Sequence, residues 1–359
     1  MVVDDEPLLP WLERPLQEVL GLRASKAVLL HGPDGNGQFG LALAIARAFL
    51  CESERESTSM AQACGRCASC RLFAARTHPD LMLLIPDSLR ESLGWAAAVA
   101  DDVRVAATGK SKPSKEIRVD DVRAVVAFAQ SSSARGLGKV VLIHPAQHMN
   151  VIAANALLKT LEEPPGLTRY ILSSNAADTL LPTVRSRCVA VPVALPAQES
   201  ALAWLESHGV KAGRVMLAAT GGRPLETLQW AQTGTDVDRW LSVPAKVFQG
   251  RSEAFVDWPL ARLVETLQKL CHDSLCVGVG AEPRYFQKQS LVIPSDLSRL
   301  IAWSAALREH AIRAEHPWQT SLKVDSLVEQ GRSALRATSP DDDAQRRDSR
   351  GRASVHFAT

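Results

Sequence analysis

The first half of the sequence predicts an α/β domain built on a parallel sheet, and the second half a succession of helices. Three observations carry this expectation. Short apolar runs alternate with helical patterns as far as Val189, which is how a parallel sheet covered by helices reads. A glycine-rich turn, Gly32 to Gly37, stands between the first apolar run and the first helical pattern, and strand, glycine loop and helix in that order are the setting of a phosphate-binding loop. From about Ala194 the strand signal fades and helical periodicity takes over.

Taken in order, Ala27 to His31 (AVLLH) predicts a buried strand, and the helix after the loop runs from Gln38 to about Leu50. A cysteine-rich segment follows, then a strand at Asp80 to Ile85, a helix at Asp120 to Gln130 and a strand at Val140 to Ile143. A helix over Val151 to Glu163 is stopped by Pro164-Pro165, and Arg169 to Ser173 is the last strand. Residues 88–115 read as an insertion on a loop. Gln198 to His208 and Pro224 to Gln232 are helical, longer helices continue to about Ala337, and Pro294-Ser295-Asp296 reads as a helix start with Ser295 as N-cap. The polar segment from Ser339 has too little apolar content to fold and is expected to be a disordered tail.

A chain of 359 residues with 46% hydrophobic content can hold two or three domains. A net charge of +2 argues neither for a strong duplex-binding protein nor against weak contact with nucleic acid. No stretch approaches the ~20 apolar residues of a membrane span, and the start, MVVDDEPLLPWLERP, lacks a basic segment followed by an apolar one. The expectation is a cytoplasmic protein with no membrane partner.

In a working phosphate loop of the form G-x-x-x-x-G-K-[ST], the lysine neutralises the β- and γ-phosphates and the hydroxyl holds Mg²⁺. Residues Gly32 to Phe39 read GPDGNGQF. Gly32 and Gly37 remain, but Gln38 carries no charge and Phe39 offers no oxygen. The strand at 140–143 leads into His144-Pro145-Ala146, where an active site would carry the carboxylates that organise Mg²⁺ and activate water. The loop is therefore read as degenerate, with no ATP or Mg²⁺ used by this chain; the glycines either turn the chain tightly or bind an anion weakly. His144 reads as a packed or capped histidine. Gly109-Lys110-Ser111 imitates the end of a phosphate loop, yet Arg104 stands where its first glycine belongs and no strand feeds into it.

Four of the seven cysteines, Cys51, Cys64, Cys67 and Cys70, crowd into one segment with the spacing C-x12-C-x2-C-x2-C. Two successive C-x2-C steps bring three thiolates around one point, and the fourth comes from the end of the preceding helix. Four soft sulfurs suit tetrahedral Zn²⁺ and leave no open position for water, so such a site is structural. Free thiols and an iron–sulfur cluster are the alternatives. Cys188, Cys271 and Cys276 are expected to be packed thiols.

The segments NALLKTLEEPP (Asn155 to Pro165) and LPTVRSRC (Leu181 to Cys188) closely resemble the clamp-loader branch of the AAA+ superfamily. An intact cysteine cluster beside a ruined phosphate loop is similar, within that branch, to the delta-prime family of the bacterial DNA polymerase III loader. The likeness extends to His78-Pro79-Asp80 and to Val119-Asp120-Asp121-Val122-Arg123, and it weakens after about Trp230, where only the helical pattern and Glu315-His316-Pro317-Trp318 still fit.

The resemblance implies an AAA+ domain over 1–192 with a zinc module at 51–70, a helical lid over 193–237, a helical collar that oligomerises over 238–337, and a tail over 338–359. It implies a heteropentamer with motor (gamma/tau) and delta subunits, acting on a sliding clamp and primed DNA. Arg187, supported by Ser186, would be an arginine finger acting in trans on a neighbour's ATP; Arg185 could share that role, and ordinary surface ion pairs are the alternative for both. Ser174 and Asn175 fall where a polar residue senses the γ-phosphate. Arg223, in Gly221-Gly222-Arg223-Pro224-Leu225, lies beside the position of the motor subunits' own nucleotide-contacting arginine, which aligns to Pro224.

The rival readings are an active gamma/tau-type ATPase and a zinc-dependent nucleic-acid-binding module. Gln38, Phe39, His144 and Pro145 argue against the first. The scarcity of aromatics around the cysteines, Phe73 alone, argues against the second.

Overall fold

Five short apolar runs become strands of one sheet: β1 (Ala27–His31), β2 (Leu81–Leu84), β3 (Lys139–Ile143), β4 (Thr168–Ser174) and β5 (Val189–Pro192). Every pairing is parallel, and the order across the sheet is β2-β3-β4-β1-β5. The computed structural model describes residues 8–22, 25–53, 63–95, 113–234, 237–293, 296–312 and 320–336. The chain divides into two units between Ser200 and Ala201, and the sheet lies in the first.

Alternation along the strands distributes side chains to two cores. Val28, Leu30, Val140, Leu142, Ile171 and Val191 join α1 (Glu13–Gly21) and α2 (Gln38–Leu50) on one face. Ala27, Leu29, Val141, Ile143, Tyr170 and Leu172 join α5 (Val119–Gln130), α6 (Val151–Glu162) and α7 (Pro182–Arg185) on the other. Between α2 and β3 the chain forms α3 (Ala68–Ala74) in the cysteine segment and α4 (Asp87–Arg90) after β2.

Helix starts follow local chemistry. Gly37, at φ 92°, adopts the left-handed conformation ahead of α2. The Arg118 N–H donates to Asp121 Oδ2 (2.9 Å) at the start of α5, whose first turn carries Asp120 and Asp121 at the positive end of the helix dipole. Asn150 Oδ1 accepts from the Ala153 N–H (2.9 Å) and caps α6.

The predicted elements of the first unit are present with ends moved by a residue or two. Beside them stand the short helices α4 and α7, and α1, α3 and β5. Helix α1 carries Leu16, Val19 and Leu20 inward on a helical spacing present in the sequence. Helix α3 is wound by the cysteines. Strand β5 is four residues long, ends in Pro192 and is exposed along most of its length; it exists because β1 offers it a ladder.

The second unit is helical: α8 (Gln198–Ser207, beginning at the boundary), α9 (Gly213–Ala219), α10 (Pro224–Gln232), α11 (Val237–Leu241), α12 (Val243–Gln249), α13 (Leu260–Gly278), α14 (Leu297–Ile312) and α15 (Thr320–Leu335). One core joins Met216, Trp230, Trp240, Phe255, Trp258, Leu267, Trp303 and Leu327. Trp240 stacks on Phe286 with ring centroids 4.3 Å apart, and the Arg262 guanidinium lies 4.2 Å from the Trp230 ring. The fully buried Asp273 accepts the N–H groups of Arg284, Tyr285 and Phe286 at 2.7–2.9 Å, which fastens that loop to α13.

No helix among the described residues is long and apolar enough to cross a membrane. The tail at 338–359, the Gly109-Lys110-Ser111 segment, Ser295 and Glu315 to Trp318 lie outside the described residues.

Leu142, with no exposed surface at the centre of the sheet, tests this account of the core. Leu142→Ala is expected to cost roughly 2–5 kcal/mol in equilibrium denaturation, because the flanking strands and helices cannot collapse into the space it leaves.

Candidate functional site

The order β3-β4-β1 brings together the loop after β1, the residues after β3 and the end of β4. Gly32 leaves β1 where a Cβ would lie 2.0 Å from the Val193 carbonyl oxygen, so no other residue fits without moving the backbone after β5. Asn36, fully buried, donates from Nδ2 to Val193 O (3.2 Å) and Ala194 O, and its own carbonyl accepts from Trp11 Nε1 (3.0 Å). These bonds lock the loop from its outer side.

Gln38 turns back onto the loop, where its Nε2 donates to Gly32 O (2.8 Å) and to Pro33 O. Its amide thereby satisfies carbonyls inside the turn instead of presenting a cation at the mouth. Phe39 is 5% exposed and belongs to the core between α2 and the sheet. Its ring sits 4.8 Å from the His144 ring, so the two residues that replace a hydroxyl and a carboxylate pack against each other.

His144 Nδ1 pairs with Ser173 Oγ (2.7 Å) at the end of β4. Burial pushes the His144 imidazole from its ordinary 6.5 down to about 4, against a weaker upward pull from Asp34. The ring is therefore neutral at physiological pH and packed. Ser174 Oγ donates to Gln147 Oε1 (2.7 Å), and Gln147 Nε2 donates to Asn175 Oδ1. Gln147 was not singled out by the sequence reading; it ties both polar residues at the end of β4 to the turn after β3.

Arg187 follows α7, whose Val184 is fully buried. Its Nε and Nη2 both donate to Glu162 Oε2 (3.1 and 2.8 Å), and Nη1 donates to Thr183 O (3.0 Å). Ser186 Oγ donates to the same Thr183 carbonyl (3.1 Å). Arg185 is exposed. Burial against the core raises the Cys188 thiol to about 12, which keeps it protonated. In the second unit Arg223 is held by Glu226 (2.8 Å), Glu265 and Thr220 O, so its guanidinium is committed to carboxylates of its own unit.

The four cysteine sulfurs lie within 4.8 Å of one another, with Cys51 and Cys67 4.0 Å apart. Tetrahedral coordination at about 2.3 Å per bond would set the sulfurs about 3.8 Å apart, so the residues fit one divalent cation. Backbone N–H groups of Cys64, Cys67 and Cys70 point at the sulfurs of Cys51, Cys64 and Cys67 at 3.3–3.4 Å, an arrangement that stabilises thiolates. The backbone N–H groups of Arg66 and Cys67 bring the Cys64 thiol down to about 6, whereas burial holds Cys70 at about 12. Filling the site therefore includes displacing a proton from Cys70.

A second set of bonds fastens this cluster to the sheet. The Asp80 N–H donates to His78 Nδ1 (3.1 Å), so the ring proton sits on Nε2 and donates to Ser69 Oγ, which in turn donates to Leu50 O. Glu52 accepts from the Ser69 N–H (3.2 Å) and from Arg135 Nε. Asp80 is buried and collects the N–H groups of Ala134 and Arg135 and the Ser133 hydroxyl. His78 and Asp80 stood in the sequence as a motif; their partners Ser69, Glu52 and Arg135 carried no periodic or spacing signal.

The His144 assignment has a pH consequence. A histidine whose folded pKa is depressed takes a proton more readily when unfolded, so stability is full above 6.5 and lost as pH falls toward about 4. The difference corresponds to a loss on the order of 3 kcal/mol. Urea unfolding of His144→Gln across that window is expected to show a smaller loss than the wild-type chain; equal pH profiles would contradict a neutral, buried imidazole.

A family model described as DNA polymerase III, delta subunit, matches residues 14–196. The DNA polymerase III subunit delta' of Pseudomonas aeruginosa is 39% identical over 224 residues, covering 61% of this chain and 60% of that protein. That of Yersinia pestis is 32% identical over 276 residues, covering 74% and 71%. The match thus spans about three-fifths of the first of these relatives and more of the second. A solved gamma subunit-related protein of DNA polymerase III from Thermotoga maritima aligns over 91% of this chain and 100% of its own at 16% identity, with a TM-score of 0.45. With the family model spanning the whole sheet and a third-identical relative matched over most of its length, the chain belongs to the DNA polymerase III subunit delta' family.

Proposed function

We propose that this chain is a non-hydrolysing subunit of the DNA polymerase III clamp loader, a fixed member that helps place a sliding clamp on primed DNA. The observation that carries the reading is the closed loop: Gln38 is spent on Gly32 O and Pro33 O, and Phe39 is buried against His144. Position 38 thus offers no cation to the phosphates and position 39 no oxygen to Mg²⁺, and those groups supply most of the catalysis of phosphoryl transfer. A subunit that gains nothing from ATP binding has no nucleotide-driven change of state, which suits a stationary role.

Arg187, supported by Ser186 through Thr183 O, is the proposed arginine finger, reaching the ATP held by a neighbouring gamma/tau subunit. A guanidinium is permanently charged and forked, and it stabilises charge gathering on the γ-phosphate; such fingers are worth roughly 10³–10⁵ in rate at the site they serve. The proposed partners are gamma/tau and delta subunits in a heteropentamer. Met216, Ala219 and Trp230 of the proposed lid (193–237) pack in the same core as the proposed collar (238–337), and the collar is read as the assembly surface.

Cys51, Cys64, Cys67 and Cys70 are proposed to hold structural Zn²⁺. The metal would supply the cross-link that joins the end of α2 to α3. Its ligands leave no open position, and no catalytic step passes through it.

The test of the functional reading is ATP hydrolysis by the assembled loader, stimulated by clamp and primed DNA. Arg187→Ala is expected to lower it several-fold with assembly intact by gel filtration, while the isolated chain turns over no ATP. Unchanged hydrolysis by the Arg187→Ala assembly would leave the subunit a bracket without a finger. For the metal, protein purified without chelator is expected to carry one equivalent of zinc, and its removal to lower the melting temperature; Cys64→Ser should abolish stoichiometric zinc.

A further inference from the structure

We infer that Glu162 is the positioning residue of Arg187, fixing the guanidinium so that its free N–H groups are presented together to an anion outside the chain. The inference rests on the arginine-finger reading above and deepens it. Arginine has five N–H donors. Three are taken within the chain: Nε and one of Nη2 by Glu162 Oε2, and one of Nη1 by Thr183 O. One donor on Nη1 and one on Nη2 are left over, and a guanidinium held along one side cannot rotate them apart. Two donors on one rigid plane match two oxygens of a phosphoryl group, the geometry in which arginine binds phosphate best.

Both ends of the pair are mounted on the core. Glu162 closes α6 directly after the buried Leu161, and Arg187 stands three residues after the fully buried Val184. Both anchors pack in the same cluster on one face of the sheet. The carboxylate reaches its partner from the negative end of α6, where a helix favours cations and a lone carboxylate is disfavoured, so the arrangement is held by Arg187 and not by the helix. The Glu162 side chain is 60% exposed, and exposed ion pairs add little to folding stability; orientation is what this one supplies. Arg185, exposed as the last residue of α7, makes no ion pair with any carboxylate among the described residues. The structure thus separates Arg187 from Arg185, which the sequence allowed to share its role.

The experiment uses the complete loader assembled with Glu162→Ala, Glu162→Gln, Arg187→Ala and the double variant, reading kcat and KM for ATP with clamp and primed DNA present. Expected is a three- to ten-fold fall in kcat for Glu162→Ala with KM unchanged. Glu162→Gln should keep at least half of the wild-type rate, because an amide oxygen still accepts both N–H groups. The double variant should fall no further than Arg187→Ala. If Glu162→Ala does not assemble, Glu162→Asp, which withdraws the carboxylate by one methylene, replaces it with the same expected fall. A normal rate for Glu162→Ala beside a low one for Arg187→Ala overturns the positioning role while leaving the finger. A raised rate for Glu162→Ala overturns it by making the ion pair a brake. An unchanged rate for Arg187→Ala removes the finger itself, and the positioning role with it.

Discussion

Burial of β1, β3 and β4 on both faces is the constraint on which the rest of the first unit depends. Each of these strands sends alternate residues into two separate cores, so none can slip in register without exposing apolar side chains on both faces. With the strands fixed, their carboxyl ends are fixed too. The loop after β1, His144 after β3 and Ser173-Ser174 at the end of β4 meet because β4 lies between the other two. The same sheet positions α6 and α7, and through them Glu162 and Arg187.

The glycine loop keeps its shape by internal bonds. In a nucleotide-binding loop of this form, bound phosphates gather the backbone N–H groups. Here the side chains of Asn36 and Gln38 satisfy carbonyls of the loop and of the segment after β5, and the Trp11 indole closes a third. Phe39 and His144 fill apolar volume between them. An asparagine, a glutamine and two rings thus stabilise a conformation that elsewhere is drawn together by a ligand, which is the physical sense in which a degenerate loop remains folded.

The cysteine cluster is joined to the sheet by more than its sulfurs. His78 spans from the Asp80 backbone to Ser69, and Glu52 spans from Ser69 to Arg135, so the segment between α2 and β2 is tied to the loop before β3. Such surrounding bonds orient side chains that could serve as metal ligands. Asp80 gathers the turn at 133–135 around its carboxylate, and that turn carries Arg135 to Glu52. The module and the sheet therefore share one polar network, whose members come from four separate stretches of chain.

The sequence by itself determined the class of fold, four of the five strands, the α2, α5 and α6 helices, and the four cysteines, because each depends on local spacing: periods of two and 3.6, glycine turns, and thiols a fixed number of residues apart. It also determined what the phosphate loop lacks, since a missing charge or hydroxyl is a property of residue type alone. It did not determine β5, which takes its ladder from β1 and ends in a proline, nor α3, which forms around the thiols. The partners of the notable residues were decided only by tertiary structure. Glu162 with Arg187, Gln147 with Ser174 and Asn175, and Ser69 with His78 are separated by 9 to 28 positions along the chain, and which of many polar side chains meet across such distances is settled by how helices pack on a sheet, information that no local pattern carries.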